Sequence, residues 1–60
     1  MLKQMLEEQL AEYEAQAEAN KKEFLRLMYA KKDEQAKEVA KKGAGIIMMR
    51  DHTKREIAKL

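Results

Sequence analysis

The sixty-residue chain contains no cysteine, no proline, no tryptophan and no serine, and it holds only two glycines. Each absence excludes something. Without cysteine there is no disulfide to staple a small domain and no thiolate to close a metal site, so packing or self-association must supply the stability. The missing cysteine also agrees with a reducing compartment. No apolar run approaches the roughly 18 residues of a membrane span. The opening MLKQMLEEQL lacks the apolar core of a signal peptide, so the expectation is a soluble, cytoplasmic chain with no membrane partner. With one threonine, one asparagine and two aspartates as the remaining capping side chains, the usual punctuation of turns is sparse.

What is present points one way. Ala, Glu, Lys, Leu, Met, Gln and Arg fill 46 of the 60 positions, and these are the strongest helix formers. The expected class is all-α. Forty per cent of the residues are charged, but the net charge is only +2. Apolar residues recur at helical spacing, which favours a packed domain over a disordered chain. At this length residues 1–60 make a single domain, close to the lower limit at which a chain buries a core of its own.

So strong a bias toward helix formers resembles the composition of computationally designed helical bundles. The resemblance covers the whole chain, rests on no motif, and extends to no natural family. It implies a helical bundle without a cofactor, and for a designed chain no cellular compartment applies. The five methionines and the Ile-Ile-Met-Met run at 46–49 depart from idealised practice, in which flexible methionine is used sparingly.

Organisation along the chain turns on two places. The first is Gly43-Ala44-Gly45, which holds both glycines and reads as a turn over 43–45. Gly43 suits the left-handed position that ends a helix, and Lys41 and Lys42 favour the preceding helix C-terminus. A final helix over 46–60 then carries the stripe Ile46, Met49, Thr53, Ile57 and Leu60. The second is Asn20. Leu6, Leu10, Tyr13, Ala17, Asn20, Phe24 and Leu27 alternate spacings of four and three, as in a heptad seam. That phase favours one helix through residues 2–42. Asn20 followed by Glu23, however, matches an N-cap with a capping box, and asparagine tolerates a left-handed turn.

Leu25, Met28 and Tyr29 give residues 24–42 a second apolar face, continued by Ala36, Val39, Ala40 and Gly43. A segment with two apolar faces reads as the centre of a small three-helix core flanked by residues 2–18 and 46–60. Its expected interior includes Leu25, Met28, Val39, Ile46, Met49 and Ile57. If the chain turns near Asn20, one molecule forms this core. If it does not, residues 1–42 make a rod of roughly 63 Å, which must pair or swap domains. Asn20 is the expected hinge. The charges agree with an antiparallel contact: residues 1–20 carry one lysine and five glutamates, a net −4, against +6 over residues 21–60.

Chemistry-bearing side chains are sparse. His52 shares a helix face with Met48 and Glu56, but one face supplies too few converging ligands for a metal, and an exposed histidine is the plainer reading. Glu8 with Glu12, and Glu14 with Glu18, lie on a polar face rather than in the desolvated cleft that acid–base catalysis needs. No catalytic residue, cofactor, metal or small-molecule substrate is expected. The basic residues Lys31, Lys32, Lys37, Lys41, Lys42, Arg50, Lys54, Arg55 and Lys59 interleave with acids and read as a solvated face, which argues against nucleic acid. The candidate interface is Ile47, Met48, Tyr29, Met1 and Met5, because methionine-rich apolar surfaces recur where proteins bind one another. The expected function is therefore protein–protein contact, either self-association as a homodimer or docking of a protein target on a helix face. The alternative is a basic helical module that binds nucleic acid or an acidic surface.

Overall fold

In the computed structural model, which describes residues 2–60, two long helices lie antiparallel as a hairpin. Helix α1 spans Leu2–Tyr29 and helix α2 spans Asp33–Ala58, and no strand occurs among the described residues. At 1.5 Å per residue the 28 residues of α1 measure about 42 Å, which accounts for the 44 Å long axis of the molecule. The other two dimensions, 14 and 11 Å, are those of two helices side by side.

The all-helical expectation holds, and the three-helix core does not. Both places where the chain was expected to turn are helical. Asn20 sits within α1, and Gly43, Ala44 and Gly45 sit within α2 with neither glycine at positive φ. Nor do residues 2–42 form one rod: the chain reverses at Ala30–Lys32, and the segment expected to begin a separate helix at Ile46 is the second half of α2. The domain-swapping argument needed that rod and falls with it.

The reversal is a Schellman closure. The Lys32 N–H donates to the Leu27 carbonyl at 2.9 Å and the Lys31 N–H donates to Met28 at 3.0 Å, the paired bonds that satisfy the last carbonyls of a helix. Lys31 occupies the left-handed position, φ 59°, where glycine is the usual residue because a side chain there costs about 1–2 kcal/mol. Helix α2 then begins with Asp33 and Glu34 in its first turn, where negative charge favours the exposed N–H groups. Lys32, at the N-cap, makes no side-chain cap.

Turning at Lys31 brings two seams of matching phase together. On α1 the half-buried or buried positions include Leu6, Leu10, Tyr13, Ala17, Asn20, Phe24 and Leu27; on α2 they include Ala36, Val39, Gly43, Ile46, Arg50, Thr53 and Ile57. The register is marked at mid-length. Asn20 Nδ2 donates across the seam to the Val39 carbonyl at 2.9 Å. Gly43 is buried against the Asn20 amide so closely that a Cβ there would collide with Asn20 Oδ1. Carried along the antiparallel pair, this register sets Leu27 opposite Ala36, Phe24 opposite Val39, Ala17 opposite Ile46, and Leu10 opposite Thr53. Large residues meet small ones, the arrangement that lets two helices interdigitate closely. Gly43 is therefore a packing residue: it accepts the roughly 1 kcal/mol penalty of glycine within a helix so that Asn20 can reach the facing backbone.

One seam buries little. Leu27 and Ala36 are the buried apolar residues, 4% and 2% exposed, and Thr53, near the other end of the seam, is 2% exposed. The Thr53 hydroxyl donates to the Met49 carbonyl of its own helix at 2.9 Å, which lets it stand in an apolar seam. Of the six residues expected inside a three-helix core, Val39, Ile46 and Ile57 are half-buried in the seam, while Leu25, Met28 and Met49 are exposed. Among the described residues no third helix is present to cover them.

Candidate functional site

A hairpin has two flanks, and one of them forms a groove. Its floor is the small residues Ala17, Ala40, Gly43 and Ala44 together with Asn20 and Phe24; its walls are Leu25 and Ile47; and Glu14, Glu18, Lys21 and Arg50 border it. The floor is shallow because small side chains hold the two backbones close. The walls stand proud because Leu25 and Ile47 each follow a seam residue, Phe24 and Ile46, by one position, a rotation of about 100° out of the helix–helix contact.

That rotation also accounts for the run Ile46-Ile47-Met48-Met49. Ile46 enters the seam, half-buried, Ile47 forms the groove wall, and Met48 points outward at 70% exposure. Met49 comes round beyond it, lining with Met48, Asp51, His52 and Arg55 a second, open depression. Four consecutive apolar side chains thus face four directions.

The expected interface residues do not converge. Ile47, 44% exposed, belongs to the groove. Met48 lies on the outer surface of α2, and Tyr29, 86% exposed, ends α1 beside the turn. Met5 is exposed near the other end of α1, about 36 Å along the axis from Tyr29, and Met1 lies outside the described residues. Asn20, the expected hinge, is a seam residue holding α1 to α2. The residue missed is Leu25. It was assigned to a core, yet it borders the same groove as Ile47, and its place one step off the heptad seam was the available signal.

Three charged side chains on the groove rim stand without an ion-pair partner: among the described residues Glu14, Glu18 and Lys21 make no ion pair within 4.0 Å. Glu14 and Glu18 stand one turn apart on one helix face, a spacing at which like charges repel. Elsewhere charges are paired locally. Arg26 donates from Nη2 to Glu23 Oε1 at 2.6 Å and from Nε to Glu23 Oε2 at 3.2 Å. Those hydrogen bonds, reinforced by the guanidinium charge, hold the Glu23 carboxyl below its ordinary range and raise Arg26. Arg50 reaches Asp51 at 3.3 Å, its half-buried stem lying along the seam with the head toward water.

Groups capable of reaction chemistry are scattered over this surface. His52 Nε2 stands 4.0 Å from Glu56 Oε1 on the exposed face of α2, and no three acidic or histidine side chains gather as a metal-holding set among the described residues. No helix among them is long and apolar enough to cross a membrane. Comparison with protein families, with curated proteins and with solved structures finds no match to the chain. The groove geometry is left to indicate what this hairpin does. It offers an open trough between the two helices, apolar at Phe24, Leu25 and Ile47, with charges of both signs on its rim. Such a surface accommodates the side chains of another helix.

Proposed function

We propose that the chain is a non-enzymatic docking element, a helical hairpin that acts through protein–protein contact along the groove between α1 and α2. The observation that carries this reading is the imbalance between buried and exposed apolar residues. Leu27 and Ala36 are buried, while Leu2, Met5, Leu25, Met28, Tyr29, Ile47, Met48, Met49 and Leu60 are exposed. The accessible surface is 4983 Å², whereas a folded monomer of 7.0 kDa is expected to show about 4,000 Å². Exposed apolar area of this kind marks an interaction surface. A composition suited to designed bundles fits the same reading, since such bundles commonly act by presenting a helix face.

The test is a pair of charged substitutions on the groove walls, Leu25→Asp and Ile47→Asp, in one chain. Both sites are exposed, so helical circular dichroism should be retained in dilute solution, while any self-association or target binding should be lost. Association that persists undiminished would refute the reading. A second reading, attraction to nucleic acid or an acidic surface, draws on residues 21–42 around the turn, which carry eight basic and four acidic side chains. Binding of that kind would fall steeply with added salt and survive the uncharged pair Leu25→Ala and Ile47→Ala.

A further inference from the structure

We infer that the occupant of this groove is a second copy of the same chain, laid antiparallel across it on a two-fold axis that passes near Ala17 and Ala44. The inference rests on the docking reading and specifies its partner.

A two-fold interface must be complementary to itself: residue i meets residue j and j meets i. The groove has this property. On α1 the acidic Glu14 and the basic Lys21 border the same trough, seven residues apart and so on the same face two turns along. Rotation about an axis between them lays Lys21 of each copy over Glu14 of the other. Glu18 of each copy, within one residue of the axis, then faces its own symmetry mate, with a Lys21 one turn to either side. None of these three side chains has an ion-pair partner within its own chain among the described residues.

On α2 the bulky Ile47 and the small Ala40 are also seven residues apart and border the same trough. In the observed register, with Asn20 opposite Gly43, their midpoint lies two residues, about 3 Å, along the hairpin from that of Glu14 and Lys21. The axis therefore crosses the two helices obliquely. The rotation that pairs the charges also sets Ile47 of each copy over the Ala40–Ala44 floor of the other.

The direction of stacking follows from the long-range charge. The half of the hairpin nearest the turn, residues 21–42, carries a net +4, and the other half, residues 1–20 together with 43–60, carries −2. Antiparallel stacking superposes these two regions. Parallel stacking would superpose the two positive halves.

The experiment is sedimentation at low ionic strength with three proteins, the unaltered chain, Glu14→Lys and Lys21→Glu. Both positions are exposed on α1, and lysine and glutamate are both good helix formers, so circular dichroism should verify that each variant still folds. The unaltered chain should sediment as a dimer. Each single variant places like charges opposite one another twice and should dimerise about tenfold or more weakly. An equimolar mixture of the two variants should recover the dimer, because each then offers the other the charge it lacks. That recovery is a result no merely structural role for these side chains would produce. A chain that is monomeric at about 100 µM, or a mixture that recovers nothing, overturns the inference. If a dimer forms but ignores both charge changes and yields instead to Met48→Asp, the partner is a second copy on another face. The inference then fails while the protein-contact reading survives.

Discussion

The two glycines of α2 respond in opposite senses to the same substitution, and the difference measures the helix–helix register. In an isolated helix Gly→Ala stabilises by about 0.8–1.0 kcal/mol through backbone entropy. Gly45 lies toward open space, with nothing near the position its Cβ would take, so Gly45→Ala should realise that gain in full. Gly43 faces Asn20, whose Oδ1 and Cγ occupy the space a methyl group would need. Asn20 can yield only by turning its amide away, which gives up the 2.9 Å bond to the Val39 carbonyl. Losing that bond costs about 0.5–1.5 kcal/mol, and leaving the half-buried amide without a partner about 1–3 kcal/mol. Against a propensity gain of about 1 kcal/mol, Gly43→Ala should come out destabilising by about 1–2 kcal/mol. The two variants should therefore differ by about 2–3 kcal/mol, read as opposite shifts of the urea midpoint at unchanged slope. Protein concentration must be matched, since association contributes to apparent stability. Combining Gly43→Ala with Asn20→Ala should remove the clash, so in that background the Gly43 change becomes stabilising. If Gly43→Ala stabilises as much as Gly45→Ala, Gly43 does not face Asn20 and the hairpin register is wrong.

Lys31→Gly should stabilise by about 1 kcal/mol, because glycine occupies the left-handed position at φ 59° without the steric cost a lysine bears; thermal melts would show it, and no gain would mean the chain does not reverse at Lys31. Leu27→Ala removes the largest of the buried apolar side chains and should cost about 2–5 kcal/mol, enough to unfold so small a domain; a loss under about 0.5 kcal/mol, the surface scale, would contradict the seam. The Glu23 carboxyl titrates below its ordinary value because Arg26 hydrogen-bonds its charged form. Its small contribution is therefore present above the unfolded value near pH 4.3 and lost as the pH falls through the folded value. Glu23→Gln should flatten that acid-side loss of helical signal, and an identical pH profile in both proteins would show the pair to be inert.

The class and half of the seam were legible in the residues because both depend on local physics. Helix propensity is a property of each residue, and a composition of helix formers without proline leaves no other regular structure. The four-three alternation from Leu6 to Leu27 belongs to one helix, and all seven positions are half-buried or buried in the fold. Where that helix ends was also written there. The next positions in the alternation are Lys31 and Glu34, both polar, and Asp33 and Glu34 suit the start of a new helix. The glycines drew attention away from it. Local rules give Gly43 to a turn and Asn20 to a cap, and each residue taken alone fits its rule.

Their actual roles are joint ones, because Gly43 is small so that Asn20, 23 positions away in the chain, can reach the Val39 carbonyl. Nothing in the neighbourhood of either residue encodes the other. Lys31 adopts a backbone conformation its own preferences oppose, since the cost of one strained residue is small beside the burial gained when the Leu6–Leu27 and Ala36–Ile57 seams meet in phase. The same pairing decides the surface. Leu25, Met28 and Met49 are apolar enough for a core, but two helices share one line of contact, and the side chains rotated off that line are left facing the groove and the solvent.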